Sequence, residues 1–207
     1  MSKQYFSYTK EEIEYLKSKD KILGEAITII GDIKREVNPD LFSSLINSII
    51  SQQISAKAAN TVRNRFDDKF SPINLKKILE TKEGEIQSLG MSMRKELYIK
   101  NIANQVHSKS LNLESLEKMS DEEVIKRLVQ INGIGIWTAE MLMIFSMQRK
   151  NILSFGDLAI LNGMKKLYHH KEITKKLFEK YKKRYSPYCS IASLYLWAIA
   201  GGALEIK

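Results

Sequence analysis

The stretch LVQINGIGIWTA, residues 128–139, holds the residue types and spacing that most directly suggest binding chemistry. Gly133 and Gly135 stand two apart with Ile134 between them. An apolar helical pattern runs into the pair and another runs out of it. Glycine accepts positive φ and lets another chain approach, because it has no Cβ. Two glycines around one apolar residue therefore predict a tight turn with Ile134 tucked inwards. The next helix then starts at Ile136 or Trp137, and its first N–H groups have no intrahelical acceptor. Together with the helix dipole, those donors make an anion site that suits a phosphate of a DNA backbone. On the glycines alone, a plain αα-hairpin with a glycine cap is the commoner reading.

Positioning such a turn requires helices on both sides, and the chain supplies them. Leu41, Phe42, Leu45, Ile46, Ile49 and Ile50 fall on one helical stripe. That helix ends at SQQIS, where Ser55 is placed to cap a second helix whose apolar face is Ala58, Ala59, Val62 and Phe66. A short helix follows Pro72, with Ile73, Leu75, Ile78 and Leu79 as its apolar residues. After Gly90 a further helix carries Leu97, Ile99, Ile102 and Val106. Ser120 and Glu123 form a capping-box signal ahead of the helix that enters the hairpin. No run alternates cleanly enough for a strand. The expected class is all-α.

Composition narrows the function. The 207 residues are 43% hydrophobic, enough to bury a core. Only 3 Pro and 10 Gly interrupt the chain, which favours long helices. A net charge of +9 suits a polyanionic partner, although a basic solvated face is the plainer explanation. Cys189 is the single cysteine, which excludes a disulfide framework, a four-cysteine iron–sulfur cluster and a zinc ribbon. His107, His169 and His170 have no metal-ligand companions at helical spacing. The N-terminus lacks a signal-peptide core, and residues 189–206 are too broken by serine and glycine to span a membrane. A cytoplasmic protein, nucleoid-associated in a prokaryote, is expected.

The pattern L-x-x-I-N-G-I-G-I-W-T-A-E-M-L resembles the helix-hairpin-helix signature of the DNA glycosylase superfamily that shares a catalytic aspartate. SLINSIISQQISAKAANTVRNRF, GMSMRKELYIKNIA and SPYCSIASLYLWAIA resemble other segments of that superfamily, so the likeness runs from about residue 20 to the end. Within it the chain is most similar to the 3-methyladenine DNA glycosylase II group. The resemblance implies two helical subdomains with a DNA cleft between them. Residues 40–150 would form one, with the hairpin at 128–147, and 1–39 plus 151–207 the other, as one glycosylase unit of 1–207. The chain is too short to carry in addition the N-terminal β domain of some group members.

The resemblance also assigns roles. Asp157, in SFGDLAILNGMKKL, takes the place of the catalytic aspartate, about twenty residues past the hairpin. A carboxylate under the sugar stabilises the oxocarbenium-like charge formed as the glycosidic bond breaks, and can orient or deprotonate the attacking water. The same residue reads as the N-cap of a helix bearing Leu158, Ile160, Leu161, Met164 and Leu167, and the two roles are compatible. Trp137 stands where bifunctional members carry a lysine nucleophile. This implies a monofunctional enzyme that leaves an abasic site, with no lyase activity and no iron–sulfur cluster.

Trp137, Met141 and Trp197 would line the substrate pocket, where an indole face attracts a cationic alkylated purine such as 3-methyladenine or 7-methylguanine. Without the resemblance, core packing is the default for Trp197. Met141 departs from the group's usual aromatic. Gln53, with Gln52 beside it, would be the wedge filling the stack when the nucleotide flips, or else SQQIS is only a polar turn. Gly133, Gly135, Thr138, Arg94 and Lys95 would hold phosphates. The carbonyls of Val129, Ile131 and Ile134 would hold a monovalent cation, Na⁺ or K⁺, and no organic cofactor is implied. Arg63, Arg65 and residues 175–184 could add non-specific attraction, the last more as a solvated helix face. Asn132 replaces the usual hairpin proline. The expected partner is damaged double-stranded DNA, bound by a monomer without membrane attachment. The rival readings are a glycosylase for a deaminated or mismatched base, a non-catalytic helix-hairpin-helix module, and a helical interaction domain with a chance motif.

Overall fold

A computed structural model describes residues 3–204. These residues are mostly helical, with one two-residue strand pair. Strand β1 (Gln4–Tyr5) pairs antiparallel with β2 (Glu36–Val37), Gln4 opposite Val37. Between them lie α1 (Lys10–Lys19) and α2 (Lys21–Ile30). Then come α3 (Leu41–Ser51), α4 (Ala56–Phe70), α5 (Leu75–Leu79), α6 (Met93–His107) and α7 (Asp121–Leu128). The last four are α8 (Ile136–Phe145), α9 (Leu158–Tyr168), α10 (Lys175–Tyr185) and α11 (Cys189–Ala200). No helix of the described residues is long and apolar enough to cross a membrane.

The chain divides into two compact units, residues 1–37 with 143–207, and residues 38–142. The division falls inside α8, between Leu142 and Met143, rather than near residue 150. In the 38–142 unit, Leu45, Ile46, Ile49 and Ile50 of α3 are fully buried, with Phe66 and Phe70 of α4 in ring contact at 4.6 Å. Ile99 and Ile102 of α6 and Val124 and Leu128 of α7 complete that core. Ser55 caps α4 through the Ala58 N–H, and Ser120 with Glu123 forms a full capping box on α7.

Three expected core positions are exposed. Ala58 lies on the exposed side of α4, in its first turn. Leu97 is 59% exposed, because Glu96 takes the inward position beside it. That carboxylate accepts from the Gly84 and Gln87 N–H groups at 2.9 and 2.6 Å and pairs with Lys100 at 3.1 Å. Leu158 is 75% exposed, since the first residue of α9 lies off its buried face.

The other unit is built around α9 and α11. Gly163 of α9 sits so close to α11 that a methyl there would lie 2.2 Å from the Leu196 carbonyl oxygen. The far end of α9 is tied down by Asp20, the buried N-cap of α2. Its Oδ2 accepts from the Tyr168 hydroxyl at 2.9 Å and from Arg184 of α10 at 2.7 Å. Burial pushes the Tyr168 hydroxyl far up, so it stays a neutral donor or acceptor beside Tyr185 at 2.6 Å.

Candidate active site

The hairpin forms where the glycines place it. Val129 closes α7, and the Ile134 N–H returns to the Ile131 carbonyl at 3.0 Å. Ile131 and Ile134 are buried, as the inward-tucked turn requires. Gly133 has φ +91°, and a methyl there would meet the Tyr98 ring at 2.5 Å and Ile49 at 2.9 Å. Gly135 differs: it is exposed, its φ lies outside the left-handed region, and nothing lies within 4 Å of where a Cβ would stand. The Ala139 N–H bonds back to the Gly135 carbonyl at 2.9 Å and opens α8. The N–H groups ahead of Ala139 belong to the first helical turn, the end of the helix that attracts anions.

The SQQIS turn is joined to this hairpin. The Gln52 side-chain amide donates to the Gly133 carbonyl at 2.6 Å. Lys95 of α6 donates to the carbonyls of Ile50 and Gln52 at 2.8 and 2.7 Å, at the carbonyl end of α3. Gln53 stands out from this bracket, exposed and with φ +56°. A left-handed glutamine costs about 1 kcal/mol or more, so its neighbours must hold it there. Arg94 is exposed, its Nε donating to the Tyr98 hydroxyl at 2.6 Å and its guanidinium 5.5 Å from the Tyr98 ring centre.

In the other unit, Asp157 is the N-cap of α9 and only 7% exposed. Its Oδ1 accepts from the Ala159 and Ile160 N–H groups at 2.9 and 3.0 Å. Serines of α11 fix the approach to it. Ser190 Oγ accepts from the Ile152 N–H at 3.0 Å, and Ser193 Oγ donates to the Ile152 carbonyl at 3.2 Å. Two residues before Asp157, Phe155 packs edge-on against Phe178 of α10 at 5.1 Å. The result is a carboxylate held at a helix N-terminus in one orientation, able to stabilise a cation or position a water.

Trp197 of α11 is half-buried, its ring 5.4 Å from that of Phe145, which also carries the Arg35 guanidinium at 5.0 Å. Trp137 is 49% exposed and half-buried Met141 lies one turn on, on the same face of α8. Among the described residues no group of three His, Cys, Asp or Glu is placed to hold a metal ion. A cation at the hairpin would therefore rest on backbone oxygens. The residues fit that role in kind: Val129 ends a helix whose last carbonyls lack intrahelical donors. Ile131 offers a carbonyl whose second lone pair is not needed by Ile134.

Residues 46–187 match the family described as HhH-GPD superfamily base excision DNA repair protein. The chain belongs to this superfamily. A DNA-3-methyladenine glycosylase 1 of Schizosaccharomyces pombe is 33% identical over 199 residues, 92% of this chain and 87% of the relative. A solved DNA-3-methyladenine glycosidase from Bacillus halodurans superposes with a TM-score of 0.87 at 34% identity, covering 96% of this chain and 93% of that one. The S. pombe 3-methyladenine DNA glycosylase solved in complex with abasic DNA gives 0.75 at 31% identity, covering 91% and 95%.

Within this HhH-GPD chain the predicted site residues fall into two sets. Gln52, Gln53, Arg94, Lys95, the hairpin and Trp137 share the 38–142 unit, whereas Asp157 and Trp197 share the other. Gln52 is occupied by Gly133, so of the two glutamines Gln53 is the exposed one, with Ile54 exposed beside it. Half-buried Lys95 gives two of its three donors to backbone carbonyls, and burial pushes its ammonium below the ordinary lysine range. Thr138 is 8% exposed, which withdraws its side chain from the hairpin rim. Arg63 donates to Ser51 Oγ at 2.8 Å, and exposed Arg65 makes one long contact with the Leu89 carbonyl at 3.4 Å. Sequence reasoning missed Tyr98, which packs under Gly133, and Ser190 and Ser193. The last two were visible only as polar interruptions of an apolar helix.

Proposed function

We propose that this protein is a monofunctional DNA glycosylase that removes alkylated purines of the 3-methyladenine and 7-methylguanine type. The observation that carries the proposal is Asp157, a carboxylate fixed at the α9 N-cap in a chain whose relatives bear the 3-methyladenine glycosylase name. A base alkylated on a ring nitrogen is already a good leaving group. The C1′–N bond breaks with its electron pair going to the base, and positive charge develops on the sugar. Asp157 stabilises that charge and accepts a proton from the water that adds to C1′. The products are a free base and an abasic site.

The nucleotide must first leave the stack, and Gln53 fills the gap. Gly133, Gly135 and the first amides of α8 hold a backbone phosphate, with Arg94 as a further contact. A Na⁺ or K⁺ ion held by the Val129, Ile131 and Ile134 carbonyls would add positive charge facing that phosphate. The Trp137 and Trp197 indoles are each of the kind of surface that attracts a cationic base, and Met141 adds a thioether beside Trp137. Trp137 has no amine, so it forms no Schiff base with the sugar, and attack by water leaves the strand uncut. The protein acts as a monomer.

The test is base release from randomly methylated duplex DNA, followed by chromatography. Free 3-methyladenine or 7-methylguanine is expected. The strand should break only after alkali, and borohydride should trap no protein–DNA adduct. Absence of release refutes the substrate class, and borohydride trapping refutes monofunctionality.

A further inference from the structure

Lys95 was expected to meet a DNA phosphate, yet its surroundings give it other work. Its ammonium lies between two carbonyls of one chain segment, Ile50 at 2.8 Å and Gln52 at 2.7 Å. These carbonyls sit at the end of α3, where the helix leaves acceptors unsatisfied and the dipole favours a cation. The next residue, Gln53, holds a left-handed backbone that a glutamine adopts only under constraint. On the other side of the turn, Gln52 reaches the Gly133 carbonyl at 2.6 Å. Gly133 in turn rests on Tyr98, three residues along α6 from Lys95. One face of α6 thus fastens both the turn that presents Gln53 and the hairpin. Burial lowers the basicity of the Lys95 amine, as befits a group withdrawn from water.

We infer that Lys95 is a positioning residue that clamps the Gln53 turn to α6, beside the hairpin that Gln52 holds, so that the wedge is set before DNA arrives. The inference rests on the glycosylase reading for its purpose, because a wedge matters only where a base is flipped. Removing the clamp releases the strained turn. Phosphate binding survives, but the wedge enters the stack less often.

Lys95→Met keeps the aliphatic stem and removes charge and donors. Three readouts distinguish the roles. First, affinity for undamaged duplex is measured across salt concentrations. A clamp leaves the slope of log K against log salt unchanged, whereas a lost phosphate contact reduces it by about 0.9. Second, 2-aminopurine is placed beside a tetrahydrofuran abasic analogue. Wild-type protein should raise its fluorescence as Gln53 enters the gap, and Lys95→Met should lose most of that rise. Third, excision should show a kcat lowered by roughly 10–100-fold, the scale of a misplaced reacting group, with KM little changed. Lys95→Arg, which retains two donors, should restore both signals. Gln52→Met cuts the other arm of the bracket, should give the same signature, and serves if Lys95→Met does not fold.

A reduced salt slope with an intact fluorescence rise would make Lys95 a phosphate ligand and overturn the inference. Lower thermal stability with every DNA readout at wild-type level would overturn it too. A wild type that leaves the probe undisturbed has no wedge to position, which is equally fatal. Because the probe contains no base to excise, a fluorescence response without base release would refute only the substrate class.

Discussion

Gly133 and Gly135 look alike in sequence, and the structure predicts opposite consequences for replacing them by alanine. At Gly133 the backbone is left-handed and the added methyl meets Tyr98 at 2.5 Å and Ile49 at 2.9 Å. The conformation costs an L-residue about 1–2 kcal/mol. Overpacking two side chains costs about 1–3 kcal/mol more. For a chain of this size each kcal/mol lowers Tm by about 2–4 °C, so Gly133→Ala should lose roughly 4–20 °C. At Gly135 neither cost arises, because φ is ordinary and the space is open. Gly135→Ala should leave Tm unchanged or slightly raised, through a less flexible unfolded chain. Its effect should appear on DNA instead, where the methyl holds a phosphate off the hairpin amides. Losing one charge-assisted bond of about 1.5–3 kcal/mol weakens binding by roughly 10–150-fold. Thermal melting and fluorescence anisotropy with duplex DNA, at one fixed salt concentration, read the two effects separately. Wild-type affinity in Gly135→Ala, or equal loss of stability in both variants, would refute the reasoning.

Other parts of the molecule give further predictions. Gly163→Ala drives a methyl to 2.2 Å from the Leu196 carbonyl, a backbone atom that cannot swing away, and should cost about 3 kcal/mol or more, read as a Tm loss of roughly 6–12 °C. Cys189 is buried and its thiol is pushed up to about 12, so a disulfide reagent at pH 8 should modify it only on unfolding; rapid labelling of the native protein would contradict its burial. Burial alone would raise the Glu96 carboxyl, but the Gln87 N–H, the Lys100 ammonium and the Gly84 N–H together hold it below its ordinary 4.5. A lowered native value means stability that is present above the unfolded value and lost as pH falls through the native one. The stability gap between wild type and Glu96→Gln should therefore be full at pH 7 and shrink below about pH 4.5, measured by urea unfolding across pH.

Much of the fold was legible because helix starts announce themselves locally. Ser55, Ser120 and Asp157 each cap the helix that follows, as side-chain type and spacing imply. Phase was less secure where a polar group claims an inward position. Leu97 was read as core because hydrophobicity cannot show that Gly84, Gln87 and Lys100 converge on Glu96. The hairpin was readable, but not the difference between its glycines, which depends on Tyr98 and Ile49 from two other helices. The contacts of Lys95 were hidden for a similar reason. Its sequence neighbours do not show that the end of α3, over forty residues earlier, supplies two acceptors to its ammonium.

Catalysis by this protein rests most directly on Asp157. Asparagine is as good a helix cap as aspartate and offers Oδ1 to the same two amides, so Asp157→Asn should fold and bind DNA like the wild type. Single-turnover release of 3-methyladenine and 7-methylguanine should be compared for the two proteins, with duplex affinity measured in the same samples. Release by Asp157→Asn should be slowed on the order of 10²–10³-fold or more, with affinity retained. Release by Asp157→Asn at the wild-type rate would show that the carboxylate does not act on the sugar, and would contradict the central claim.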